Sequence, residues 1–173
     1  MRGSTKLLFG LLSLSIGLAG CTMSPAELGL GQSIKPDKHP FLIPANATNA
    51  EKGQIHYKNG SYGLSEKAFR AAVEKEPSNA EAWLGLAASY DRLGRFDHAQ
   101  RSYNRVIRLV GYTPTLLNNL GYHYYLQGNN QSALQTLERA HQGAPTNKHI
   151  LNNLALVRES AELKRSTARE SKG

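Results

Sequence analysis

From residue 62 to residue 163 the apolar positions recur at steps of three and four, the spacing of a helix that buries one face. Phe69, Ala72 and Val73 form one such stripe, and Trp83, Leu86, Ala87 and Tyr90 a second. Ala99, Tyr103 and Val106 follow, then Leu117, Leu120, Gly121 and Tyr124, then Ala133, Leu137 and Ala140. Turn signals at Asn59-Gly60, Gly94 and Gly128 separate the stripes, and Pro77 and Pro145 close two of them. The pattern predicts pairs of short helices. Its strongest feature is long-range. Leu117-Asn118-Asn119-Leu120-Gly121 returns as Leu151-Asn152-Asn153-Leu154-Ala155, 34 residues on, and Trp83 precedes Leu117 by the same 34.

A helix–turn–helix unit repeated every 34 residues resembles the tetratricopeptide repeat (TPR). In that repeat helix A carries a large apolar residue, then Leu, Gly or Ala, and Tyr. Helix B carries Ala, an aromatic and Ala, with Pro after it. Trp83, Leu86, Ala87, Tyr90, Ala99, Tyr103 and Val106 fill these places in one unit, with Gly111 where Pro is usual. Leu117, Leu120, Gly121, Tyr124, Ala133, Leu137, Ala140 and Pro145 fill them in the next. In the unit before, helix B is clear in Phe69, Ala72 and Pro77. Of Asn49, Lys52, Gly53 and His56 only the glycine matches helix A, so a weaker, more mobile helix is expected at about residues 47–59. After Pro145, the residues Leu151, Leu154, Ala155 and Leu156 open one more helix, and Arg158 takes the place of its tyrosine. This reads as a polar cap over the last interface. The implied fold is all-α: a right-handed solenoid of three repeats, 46–79, 80–113 and 114–147, a capping helix at 148–163 and a disordered basic tail at 164–173. Ala99, Gly121, Ala133 and Ala140 are expected at the closest helix contacts, where large side chains would not fit.

Residues 1–45 have a different texture. Arg2 and Lys6 lead into an apolar run at residues 7–19. The run is shorter than the roughly 20 residues of a membrane-spanning helix and suits the core of a signal peptide. It ends in Leu18-Ala19-Gly20-Cys21, and Cys21 is the only cysteine in the sequence. These four residues resemble the lipobox of bacterial lipoproteins. The resemblance implies removal of residues 1–20 and acylation of Cys21, an anchor made durable by more than one chain. Thr22 follows, where an aspartate would mark inner-membrane retention. The expected location is therefore the Gram-negative outer membrane, with the domain facing the periplasm. Residues 22–45 hold Pro25, Pro36, Pro40, Pro44, Gly29 and Gly31, and read as a flexible tether. Fully extended, it reaches at most roughly 80 Å.

The formal charge of +8 becomes +6 without residues 1–20, because 19 basic residues then face 13 acidic ones. A surface of that sign favours anionic lipid or an acidic protein partner. The basic residues are scattered and no basic helix face stands out, which argues against nucleic acid. A single cysteine excludes an intrachain disulfide and a Cys-based metal site. His39, His56, His98, His123, His141 and His149 contain no pair at the spacing of a helical metal site and read as surface or packing residues. No nucleophile elbow or phosphate-cradling glycine loop occurs. Glu66, Glu74, Glu76 and Glu81 fit a solvated helix face. The expectation is a protein that is not an enzyme and takes no cofactor and no metal.

Such a solenoid offers a groove lined by its A helices. In this register the lining is Leu84, Gly85, Ala88 and Asp91, then Asn118, Asn119, Tyr122 and Tyr125, then Asn152, Asn153 and Leu156. An asparagine amide both donates and accepts, so it can bond an extended peptide without reading its sequence. Tyrosine adds apolar area with a polar tip. Asn118, Asn119, Tyr122, Tyr125, Asn152 and Asn153 are thus the candidate peptide site. Asn119 and Asn153 also stand where TPR sequences carry a framework asparagine, so both roles stay open. Residues 62–66 and 68–111, LLNNLGYHYYLQGN at 116–129, NNLALV at 152–157 and the lipobox together resemble the TadD-like TPR lipoproteins of tight-adherence (Flp) pilus systems. That resemblance implies a pilotin-like adaptor that helps an outer-membrane secretin to localise or assemble. The alternatives are a general periplasmic scaffold linking cell-wall enzymes or proteases to clients, and an accessory of outer-membrane protein insertion.

Overall fold

A computed structural model describes residues 41–170. These residues form seven helices and no strand: α1 Asn49–Lys58, α2 Tyr62–Lys75, α3 Ala80–Arg92, α4 Phe96–Val110, α5 Pro114–Leu126, α6 Asn130–Gly143 and α7 Lys148–Glu170. α1 packs on α2, α3 on α4 and α5 on α6, and α7 closes against α5 and α6. The A helices α1, α3, α5 and α7 also touch in succession. The architecture is an all-α solenoid.

The 34-residue period is written into the ends of the helices. Asn79, Thr113 and Asn147, 34 apart, stand just before α3, α5 and α7. Their side-chain oxygens accept from Ala82 N at 2.9 Å, Leu116 N at 3.2 Å and His149 N at 2.9 Å. These donors have no partner inside the helix. The corresponding place in the first repeat is Ala45, which has no side-chain oxygen. α1 starts instead after Thr48, through a capping box. Thr48 Oγ1 accepts from Glu51 N at 3.2 Å, and Glu51 Oε2 accepts from Thr48 N at 2.7 Å. The first A helix is short for that reason. Gly60, Gly94 and Gly128, again 34 apart, follow the A helices with φ of +74°, +70° and +77°, a backbone region that favours glycine.

Phe69 of α2 is the wedge of the first two repeats. Its ring is 2% exposed. A β-carbon at Gly53 of α1 would lie 2.8 Å from it, and one at Gly85 of α3 would collide with it. Both A helices therefore close on the ring through glycines. Gly121 of α5 does the same for Leu137 of α6, and Ala99, Ala133 and Ala140 are fully enclosed. Two polar seams run through the packing. Ser65 Oγ bonds Gly53 O at 2.9 Å and Ser89 Oγ at 2.8 Å, joining α1, α2 and α3. Asp91 of α3 takes two bonds, described below.

Three expectations need correction. α7 continues to Glu170 rather than giving way to disorder at residue 164. No glycine or proline interrupts residues 148–170, and Lys164 Nζ donates to Gly128 O at 3.3 Å across the α5–α6 turn. Glu66 is not on a solvated face. It is 7% exposed and paired with Arg70 one turn on and with Arg95 at 3.4 Å. Finally, a basic helix face does exist. Arg101, Arg105 and Arg108 fall at steps of four and three on α4.

Candidate functional site

The A helices wall two adjoining recesses. The first, of about 230 Å³, is apolar, with Tyr57, Phe69, Leu84, Gly85 and Ala88 around it. Gln54 and Glu81 border it and bond each other at 2.9 Å. The second, of about 450 Å³, is lined by Thr115, Asn118, Asn119, Tyr122, Asn152 and Asn153. Tyr57 and Asn119 border both recesses, so the two form one groove. Burial pushes the Tyr57 phenol up to about 12.

Five of the six candidate residues, Asn118, Asn119, Tyr122, Asn152 and Asn153, come together in the second recess. Their amides are not equivalent. Asn118 Oδ1 accepts from Asn153 Nδ2 at 2.9 Å, so this pair also ties α5 to α7. Asn119 Nδ2 donates to Thr115 O at 2.9 Å, one turn back on its own helix. Asn152 is exposed. Tyr125 lies outside the recess. It packs against the core of α5, α6 and α7, with its ring centroid 6.0 Å from that of Tyr122. Leu156 is exposed on α7 and borders neither recess. Cys21 lies outside the described residues.

Asp91 does not line the groove. It is 4% exposed, with Oδ1 2.6 Å from His123 Nδ1 and Oδ2 accepting from Tyr103 OH at 2.7 Å. The three side chains join α3, α4 and α5, and Phe96 and Tyr124 flank the His123 ring. An aspartate orienting a histidine is the supporting half of a nucleophilic triad. Here the third member is a phenol bound to the same carboxylate, and His123 and Tyr103 are each 1% exposed. No substrate reaches them, so the network is architectural. Among the described residues no group of three His, Cys, Asp or Glu side chains is placed to hold a metal ion. No described helix is long and apolar enough to cross a membrane.

Burial, with the charge of Asp91 beside it, also holds the Tyr103 phenol well above its usual value. The folded chain therefore keeps phenolic protons that the unfolded chain loses near pH ~10. This contribution is complete below about pH 10 and falls as pH rises through the folded values. The melting temperature is expected to drop between about pH 10 and 12. Thermal melts across this range, read beside tyrosinate absorbance, check it. A flat profile would contradict the burial of these phenols.

The comparisons with known proteins agree with this architecture. A family model described as tetratricopeptide repeat matches residues 51–97 and 86–148, more than half of the chain. The type IV pilus assembly protein PilF of Pseudomonas aeruginosa is 27% identical over 146 residues, 83% of this chain and 56% of PilF. The chain thus spans little more than half the length of that relative. A solved structure of Pseudomonas aeruginosa PilF superposes with a TM-score of 0.57 at 25% identity, covering 66% of this chain and 52% of that one. The first TPR domain of human RPAP3 superposes with a TM-score of 0.60 at 21% identity, covering 68% of this chain and 93% of that domain. The first TPR of Spaghetti, bound to the HSP90 peptide SRMEEVD, gives 0.57 at 21% identity over 66% of this chain and 90% of that one. Matching helix pairs, matching period and a family match over residues 51–148 lead to one conclusion: the chain belongs to the tetratricopeptide-repeat family, whose domains serve as protein-binding scaffolds.

Proposed function

We propose that this chain is a protein-binding adaptor of pilus assembly, anchored through Cys21 to the outer membrane, that holds an extended segment of an outer-membrane secretin in its A-helix groove. The carrying observation is the groove itself, an apolar recess continuous with a recess of asparagine amides. A side chain of the client fills the first while its backbone bonds the second. The likeness to PilF supports the pilus context, since it extends over 83% of the chain, beyond the residues the family model matches. The tight-adherence system, suggested by the TadD-like sequence features, is the member of that class we favour.

The test is the variant Asn118→Ala, Tyr122→Ala, Asn152→Ala. Each lost amide bond is expected to cost about 1 kcal/mol of binding, and the tyrosine about 2 kcal/mol if it is an anchor. Secretin multimers at the outer membrane should fall while a thermal melt shows the domain still folded. Normal multimers and pili with the folded variant would move the working surface elsewhere. The anchor is tested separately. Cys21→Ala should abolish incorporation of a clickable fatty acid, and undiminished label on this variant would end the lipoprotein reading.

A further inference from the structure

A second surface lies between α2, α3 and α4, away from the groove residues. The α4 arginines Arg101, Arg105 and Arg108 border a cleft of about 390 Å³. Arg70 and His98 border it too, and Trp83 and Tyr90 supply aromatic walls. The base is apolar, with Val73 4% and Leu86 3% exposed. The single carboxylate bordering the cleft is Glu74. None of the ion pairs among the described residues engages Arg101, Arg105 or Arg108. Arg105 Nη2 donates to Pro77 O at 3.2 Å, and Trp83 Nε1 donates to the same carbonyl at 3.0 Å. Guanidinium and indole are therefore held in place before any partner arrives.

We propose that this cleft docks an acidic, extended segment of a partner protein, distinct from the client of the groove. Charge complementarity is the first argument: Arg101, Arg105 and Arg108 face one carboxylate, while Arg70 is already paired with Glu66. Geometry is the second. Arg101 and Arg108 are seven residues apart, about 10.5 Å along the helix axis. Carboxylates two residues apart on an extended strand share one face about 7 Å apart, so such a pair fits within the arginine row, and the residue between them points to the opposite side. The concavity is the third, because a flat lipid surface would meet the arginine rim and leave the apolar base empty. The chain does not supply this occupant itself. A second copy carries the same positive sign, with 21 basic against 13 acidic residues, and residues 22–40 set Glu27 and Asp37 against Lys35 and Lys38.

Trp83 is the only tryptophan in the sequence and borders the cleft, so emission excited selectively in tryptophan is a probe placed at the cleft. The full-length chain is titrated with an end-blocked peptide Asp-Glu-Phe-Glu-Asp-Leu-Glu, with its Asn/Gln counterpart, and with dihexanoyl phosphatidylglycerol as a soluble anionic lipid. The acidic peptide should give a saturable emission change that weakens with salt. Arg101→Glu with Arg108→Glu should weaken it about tenfold or more. Asn118→Ala with Asn152→Ala should leave it unchanged, which separates the cleft from the groove. Both arginines are exposed; if charge reversal nevertheless unfolds the domain, the paired Arg→Gln variant takes its place under the same criterion. An equal response to the neutral peptide, no response, an undiminished response in the arginine variant, or a response to lipid alone would each overturn the proposal.

Discussion

Replacing Phe69 by alanine should lower the unfolding free energy by about 3–5 kcal/mol. The ring is the part of α2 on which two A helices close, and it does so through Gly53 and Gly85, neither of which has a side chain to fill the space. Removing it leaves a cavity bordered on two sides by backbone that cannot move inward without breaking the α1–α2 and α3–α4 packing. Proteins of ordinary stability have about 5–15 kcal/mol in total, so the variant should melt far below the parent. Urea titrations of both chains measure the difference. A loss within the ±0.5 kcal/mol or so of an unremarkable surface change would show that Phe69 is not the wedge.

Asp91→Ala should be nearly as damaging. It leaves His123 Nδ1 and the Tyr103 hydroxyl, both enclosed, without their acceptor. Each orphaned donor costs about 1–3 kcal/mol, so about 2–6 kcal/mol is expected from one carboxylate. Asp91→Asn keeps the shape and one acceptor and should be milder. The decisive comparison adds His123→Leu and Tyr103→Phe to Asp91→Ala. Removing the donors together with the acceptor should recover part of the loss, because an apolar replacement has nothing left unsatisfied. If the triple variant is less stable than Asp91→Ala alone, the cost lies in packing and not in unpaired polar groups.

Much of this was legible in the sequence because the repeat constrains many residues at once. The helix order, the turns at Gly60, Gly94 and Gly128 and the small residues at Ala99, Gly121, Ala133 and Ala140 all follow from one period. So did most of the groove, since Asn118 and Asn152 share a register. What escaped depends on side chains that leave their register. Asp91 occupies a groove position in the pattern, yet its carboxylate turns inward because His123 and Tyr103, 32 and 12 residues away, converge on it. Tyr57 was missed because the first A helix matches the pattern only at Gly53. The α4 basic stripe was hidden by counting charges along the chain, where Arg101, Arg105 and Arg108 look scattered. Only a helical projection aligns them, and only the fold adds Arg70 from α2. The end of α7 is polar in composition, which hides the helix in the sequence, although nothing in residues 148–170 stops one.

α5 is a party wall. Leu116 and Leu120 belong to the core shared with α2, α3 and α4, while Leu117 belongs to the core shared with α6 and α7. Partial opening of either side exposes one flank of this helix, so the two sides fray separately but fail together once α5 goes. Asn118, Asn119 and Tyr122 are on that same helix. A segment gripping them adds its binding free energy to the one element that both sides need. Occupancy of the groove would then be felt as slower amide exchange in α2 and α6 alike, and a client would act as a keystone for the array that carries it.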